Sequence, residues 1–312
     1  MEYRNLGRSG LEVSIVGLGT NNFGQRMDYG RAEAVVLECL NQGINFFDTA
    51  DIYGGRGPSE EFLGRALKGH RADAVIGTKF ASPMGEGPMQ KGGSRRYIMQ
   101  AVEDSLRRLE TDYIDFYQVH RPDPNTPDEE TLRALDDLVS SGKVRYLGNS
   151  NYAGWQIAHN HWISETRGYA PFIAAQNEYS LLDRRIEAEV VPAAQKFGLS
   201  IIPFFPLASG LLTGKYKRGA ERPEGARLSQ GPQADRLLTD KNFDTVEKLD
   251  AFAQSAGHSL LELAFSWLAS LDYVGSVIAG ATSPDQVKAN AQAASWRLTA
   301  EEMAEVDRIT RR

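Results

Sequence analysis

The sequence predicts an α/β protein, a single (β/α)8 TIM-type barrel domain spanning residues 1–312 with an N-terminal β-hairpin. Three observations predict it. Eight short runs rich in β-branched or aromatic residues alternate with longer stretches of helical period, which implies βαβ units and a parallel sheet. The centres of those runs are apolar without alternation, as in Val75-Ile76, Phe116-Tyr117 and Ile201-Ile202, the pattern of strands covered on both faces. Eight such units in 312 residues fit a closed barrel better than a doubly wound open sheet. That rival usually carries Gly-x-Gly-x-x-Gly after its first strand, and Gly17-Leu-Gly-Thr-Asn-Asn-Phe-Gly24 has the wrong spacing.

In chain order, Tyr3–Val13 with Arg8-Ser9-Gly10 at its middle reads as a hairpin that closes one end of the barrel. The strands are expected near Val13–Gly17, Asn45–Asp48, Ala74–Lys79, Tyr113–Val119, Val144–Gly148, Phe172–Gln176, Leu199–Phe205 and Gly275–Ile278. Between them, Ala32–Asn41 is helical and stops at Gly43, and Ser59–Leu67 starts with Ser59 as its N-cap. Ser94–Leu109 places Ile98, Val102, Leu106 and Leu109 on one stripe. Helices follow at Asp128–Ser140, Trp155–Thr166, Ile186–Phe197, Thr245–Ala256, Ser259–Leu271, Pro284–Ala293 and Ala300–Ile309. Two connections are long, Ala81–Gly93 and Pro206–Asp240, and both follow strands. Long loops of compact domains are usually functional, and these would emerge at the C-terminal face, where barrel active sites sit.

Composition excludes several classes. The net charge is −6, which argues against nucleic acid and anionic membrane as partners. Cys39 is the only cysteine, so a disulfide framework and a Cys-rich zinc site are out, and a reducing cytoplasm suits the chain. No secretory h-region opens the sequence and no apolar run reaches membrane-spanning length. His159 and His161 stand two apart on a helix, which does not put them on one face, so no metal site is expected.

Polar residues end three successive strands: Asp48, Lys79 and His120, with Tyr53 five residues past Asp48. Singly, each has an ordinary reading, as a helix cap, a rim lysine, a structural histidine and a loop aromatic. On consecutive strand ends of a barrel they converge at one mouth. Lys79, kept charged by Asp48, would favour the phenolate of Tyr53 and bring it toward the range where it protonates a nascent alkoxide. His120 would donate a hydrogen bond to a substrate oxygen. The constellation suits an oxygen gaining negative charge, as in carbonyl reduction by hydride.

At these residues the chain resembles the aldo-keto reductases. The likeness is carried by Asn45-Phe-Phe-Asp48-Thr-Ala-x-x-Tyr53-Gly with Ser59-Glu60-x-x-Leu63-Gly64, by Thr78-Lys79, and by Asp112-Tyr-Ile-Asp-Phe-Tyr-Gln-Val-His120-Arg-Pro. Gly148-Asn-Ser150-Asn151-Tyr, Gln176-Asn-Glu-Tyr-Ser180, Gly210-Leu-Leu-Thr-Gly-Lys215-Tyr and Ile278-Ala-Gly280-Ala-Thr-Ser-Pro-Asp-Gln286 extend it over nearly the whole chain.

The resemblance implies NADPH as cofactor, bound without a Rossmann motif, and the tetrad Asp48, Tyr53, Lys79 and His120. A glutamate at the His120 position marks relatives that reduce carbon–carbon double bonds, so His120 favours a small-molecule carbonyl substrate. Ser150, Asn151 and Gln176 match the set that holds the nicotinamide carboxamide, and Phe204 matches the aromatic that stacks on the ring. Phe205 stands where serine is usual. Leu207, Ser209, Gly210 and Lys215 match the loop over the pyrophosphate. Gly280, Thr282, Gln286 and Asn290 match the adenosine end, with Gly19, Thr20 and Asp48 completing the cofactor set. Many members carry Arg or Lys near Thr282; this chain does not, and Ser283 or Arg227 could compensate.

Phe23, Phe80, Met84 and Arg121 are the candidate substrate residues, expected to form a broad apolar pocket for aldehydes, small ketones or quinones. Two rival readings stand beside reduction. One is a nucleotide-binding regulatory subunit of the channel β-subunit type with weak reductase activity. The other is a barrel lyase or isomerase using Lys79 as a Schiff-base lysine. The sequence does not fix the oligomeric state.

Overall fold

The computed structural model describes residues 1–310. Strands β1 (Tyr3–Asn5) and β2 (Glu12–Ser14) form the antiparallel hairpin. The barrel strands follow: β3 (Val16–Gly19), β4 (Phe46–Asp48), β5 (Val75–Phe80), β6 (Ile114–Val119), β7 (Val144–Ser150), β8 (Phe172–Glu178), β9 (Ser200–Phe204) and β10 (Val277–Gly280). All neighbours pair parallel in the order β10-β3-β4-β5-β6-β7-β8-β9. The ring closes through a parallel bridge between Ile201 and Val274, with Ile201 N–H donating to Tyr273 O at 2.7 Å and Gly275 N–H to Ile201 O at 2.9 Å.

The helices are α1 (Tyr29–Asn41), the single turn α2 (Tyr53–Arg56), α3 (Pro58–Ala66), α4 (Arg95–Arg108), α5 (Asp128–Ser140), α6 (Gly154–Arg167), α7 (Val190–Phe197), α8 (Pro232–Leu237), α9 (Asp240–Ser255), α10 (Leu260–Ala269), α11 (Pro284–Ala293) and α12 (Ala300–Thr310). Ser94, Ser259 and Ser283 cap α4, α10 and α11, each accepting from a backbone N–H of the first turn.

Three boundary expectations are corrected. The predicted Val13–Gly17 strand straddles two elements, because the chain turns at Ile15 from the hairpin into β3. The predicted Gly275–Ile278 strand likewise joins the closing bridge to β10. Ser59 is not the N-cap of α3. Gly57 is, and the Ser59 hydroxyl is spent inside the protein on Thr20 Oγ1 at 2.8 Å and Thr49 Oγ1 at 2.9 Å. The Pro206–Asp240 connection holds a 3-10 turn, Ala208–Thr213, and α8, neither of which its Gly- and Pro-rich composition suggests.

Alternation along the strands sorts the barrel interior into layers. Phe46, Phe116, Ala174, Ile202 and Ile278 pack inside, with Leu6 and Val13 of the hairpin region joining this cluster at one end. Gly77 and Gly148 make room for the two rings. A Cβ on Gly148 would lie 2.3 Å from Phe116 Cζ, and one on Gly77 would lie 3.2 Å from Phe46 Cε2. Two residues further along each strand comes the next inward layer: Asp48, Lys79, Gln118, Ser150, Gln176 and Phe204. The apolar layer thus supports a polar one directly above it. The larger hydrophobic cluster lies between the strands and the helices and holds the wholly buried Cys39.

Candidate active site

Lys79 is fully buried on β5, and its Nζ donates to Asp48 Oδ2 at 2.7 Å and to Thr49 O at 2.8 Å. Tyr53 Oη lies 3.5 Å from the same Nζ, which stands 5.0 Å from the centre of the phenol ring. The other Asp48 oxygen accepts from Gln176 Nε2 at 2.8 Å and Gln118 Nε2 at 3.2 Å. Asp48 therefore caps no helix; its carboxylate is committed to the barrel interior. The His120 ring meets Tyr53 edge-on at 5.7 Å, and its Nδ1 lies 3.2 Å from Ser82 Oγ.

The electrostatics follow from burial and these partners. Burial alone would strip Lys79 of its proton. Asp48 and the Tyr53 phenol outweigh it and hold the ammonium above its ordinary value. Burial pushes Tyr53 above the usual phenol range, and Lys79 opposes the shift without reversing it. Lys79 thus acts in the expected direction, but burial outweighs it, and Tyr53 holds its proton at neutrality. Burial, followed by the charges of Lys79 and Arg121, pushes His120 down to about 3, so its imidazole is neutral. A nuclear magnetic resonance titration from about pH 5 to about pH 8 is expected to show no transition for His120; a midpoint near the ordinary histidine value would overturn that assignment.

Asp48, Tyr53 and His120 line a cavity of about 760 Å3, and the fully buried Lys79 stands behind them. Of the residues expected at the cofactor, Gly19, Asp48, Ser150, Asn151, Gln176, Phe204, Leu207, Ser209, Gly210, Lys215, Gly280, Thr282, Gln286 and Asn290 all line it. Asn151 has φ +62° and donates through Nδ2 to His120 O and Ser150 Oγ, both at 3.0 Å. Thr20 does not line it. Its hydroxyl is buried behind the site, bonded to Asp48 O at 3.1 Å and to Ser59.

The four expected substrate residues also lie outside the cavity walls. Phe80 follows the inward Lys79 by one residue, so the pleat turns it outward, where it stacks on Tyr117 at 4.9 Å. Phe23 is wholly buried in the outer core, Met84 packs half-buried against that core, and Arg121 is exposed. Residues not singled out from the sequence do line the cavity, among them Asn21, Asn22, Arg26 and Ala226. Gln118 was also missed; its position two residues before His120 is the available signal, because i and i+2 share a face.

The outer part of the cavity carries Arg26, Lys215 and Arg227. Burial lowers Lys215 and Arg227, and the mutual repulsion of the three cations lowers them further. Beside them Phe205, Ala208 and Ser209 have positive φ, as does Gly210, a bent backbone of the kind that turns N–H groups toward an anion. Thr282 N–H and Oγ1 donate to Gln286 Oε1 at 2.8 and 3.2 Å at the start of α11. Three mutually repelling cations, an acid–base pair and an aromatic around one cavity fit a nicotinamide dinucleotide. Among the described residues, no group of three or more His, Cys, Asp or Glu side chains is arranged to hold a metal ion, and no helix is long and apolar enough to cross a membrane.

Fold and site together define a barrel oxidoreductase. The chain belongs to the aldo/keto reductase family, whose family model matches residues 15–311. It is 38% identical over 301 residues to a probable voltage-gated potassium channel subunit beta of Oryza sativa subsp. japonica, covering 94% of this chain and 91% of that protein. It is 35% identical over 321 residues to the L-glyceraldehyde 3-phosphate reductase of Escherichia coli (strain K12), covering 98% and 92%. It is 35% identical over 318 residues to the aldo-keto reductase YhdN of Bacillus subtilis (strain 168), covering 99% and 93%. The family generally uses NAD(P)H and reduces carbonyl compounds.

Proposed function

We propose that this protein is a cytoplasmic, NADPH-dependent reductase of small aldehydes and ketones in which Tyr53 is the general acid. The observation that carries the reading is Tyr53 Oη at 3.5 Å from a buried Lys79 ammonium that Asp48 holds at 2.7 Å, beside a neutral imidazole. The bound dinucleotide supplies the hydride. The chain's own residues then do three things. Ser150, Asn151 and Gln176 hold the carboxamide and so fix which ring face is presented. His120, in the tautomer where Ser82 donates to Nδ1, offers its Nε2–H to the carbonyl oxygen. Tyr53 gives its proton to that oxygen as negative charge develops, and Lys79 stabilises the phenolate left behind.

Arg31, whose Nη2 donates to Thr282 O at 3.1 Å, brings positive charge to Thr282 that the sequence does not show there, and Arg26, Lys215 and Arg227 add to it along the cavity, which supports a preference for the dinucleotide with the extra phosphate. Arg227→Ala is expected to raise the KM for NADPH about tenfold or more while changing that for NADH little, the loss of one charge-assisted contact. Equal effects on both coenzymes would remove Arg227 from phosphate recognition.

The test of the whole reading is oxidation of NADPH and NADH, side by side, with an activated aromatic aldehyde. Turnover that Tyr53→Phe abolishes supports reduction. Coenzyme binding without turnover across a panel of aldehydes, ketones and quinones, together with co-purification of a channel protein, favours the regulatory reading suggested by the relatives named as channel subunits.

A further inference from the structure

Behind the tetrad lies a second buried polar cluster that the reaction above does not use. Asp51 is two residues before Tyr53 and only 1% exposed, and neither of its carboxyl oxygens makes a well-formed hydrogen bond; the Ile52 N–H and the Tyr97 hydroxyl face it at longer range. Its backbone N–H donates to Lys79 O at 3.1 Å, which ties it to the end of β5. Glu60 of α3 is fully buried nearby. Its Oε1 accepts from Thr78 Oγ1 at 2.6 Å and its Oε2 from Arg108 Nε of α4 at 2.7 Å. The hydroxyl of Tyr117 on β6 is buried in the same region without a partner, and that of Tyr97 on α4 faces Asp51 without a well-formed hydrogen bond.

The charges here can be paired off. Asp48 has Lys79 and two glutamine donors. Glu60 has Arg108 and Thr78. Asp51 is the third carboxyl, and both cations are already engaged. An unpaired carboxylate in such a place is far less favourable than a protonated one. We infer that Asp51 is a buried carboxylic acid and a positioning residue, whose neutrality lets the charge of Lys79 bear on Tyr53 with no second anion opposing it.

The surroundings agree. Burial, then the neighbouring Glu60 carboxylate, push the Asp51 carboxyl up to about 8, against the opposing pull of Arg108, the Ile52 N–H and Lys79. Burial and, next, Asp51 raise both Tyr97 and Tyr117, so both phenols stay protonated and offer no countercharge. Above about pH 8 the proton leaves, an anion appears behind Lys79 and Tyr53, and the phenol becomes a weaker acid. The positioning role rests on the reduction reading above; the protonation state does not.

Infrared spectroscopy of the whole protein and of Asp51→Asn tests this. Near neutrality the wild type is expected to show a protonated-carboxyl C=O band that Asp51→Asn lacks and that fades as pH rises through about 8. The folded value lies above the unfolded one, so the stability contributed by this carboxyl is fully present below about pH 4 and is lost as pH rises toward about 8. The Tm of Asp51→Asn is therefore expected to gain on wild type over that interval. In kinetics, the alkaline fall of kcat is expected to move to higher pH in Asp51→Asn.

A band unaffected by the substitution overturns the inference. If Asp51→Asn does not fold, the wild-type titration decides alone, and a band that is absent or does not fade overturns it. If no carbonyl compound is reduced, the positioning role falls, while band and Tm still judge the protonation state. An unmoved kcat profile despite the expected band would likewise overturn the positioning role alone.

Discussion

Tyr53→Phe is expected to lower kcat for carbonyl reduction by about 10^2- to 10^4-fold, the usual worth of a positioned general acid. That range is about 3–5 kcal/mol of barrier. The substitution removes one oxygen and little else. The ring keeps its edge-on contact with His120 at 5.7 Å and its place beside Lys79, so the shape of the cavity wall there is retained. Coenzyme affinity, followed by quenching of protein fluorescence, is accordingly expected to be unchanged. His120 cannot replace the lost donor by protonating, because burial and the cations Lys79 and Arg121 keep it neutral. A kcat within about tenfold of wild type would mean that another group or water delivers the proton, and the general-acid assignment would fall.

The parts of the molecule legible in the sequence are those fixed by short-range rules. Apolar strand runs and helical periods predict the eight barrel strands, because a strand covered by sheet neighbours and helices has no reason to alternate. Asp48, Lys79 and His120 could be read as convergent because a parallel barrel brings all strand ends to one face. Their actual contacts could not be read. The two glutamine donors to Asp48 come from β6 and β8, 70 and 128 residues away, and only the closed ring brings them together. The expected substrate residues lie outside the cavity lining for a different reason. Phe80 adjoins Lys79 in the sequence, but strand parity turns it away from the Lys79 side. Asp51 stands between Asp48 and Tyr53 in the signature run, yet nothing in that run shows that it is buried and unpaired. Its significance lies in what surrounds it from α3, α4, β5 and β6, and above all in the fact that the two cations there are taken.

Lys79→Met is expected to destabilise the protein by about 3–5 kcal/mol, measured by urea denaturation near neutrality, and to abolish most turnover. The pair is wholly buried, so removing the ammonium leaves the Asp48 carboxyl in the barrel without its cation, with only Gln118 and Gln176 as donors. The folded Lys79 holds its proton more tightly than an ordinary lysine, so its contribution is fully present below the unfolded lysine value of about 10.4 and is lost only as pH rises through the higher folded one. The deficit of the variant should therefore be seen throughout the neutral range. The source of that deficit can be separated from lost packing by adding Asp48→Asn. The amide removes the orphaned carboxyl at almost constant shape, and the double variant is expected to be more stable than Lys79→Met alone. Its kcat is expected to stay low, because no cation stands beside Tyr53 in either protein. A double variant less stable than the single one would show that the methylene packing of Lys79, and not its charge, dominates its role in the fold. Recovered turnover in the double variant would show that Tyr53 needs no cation at all.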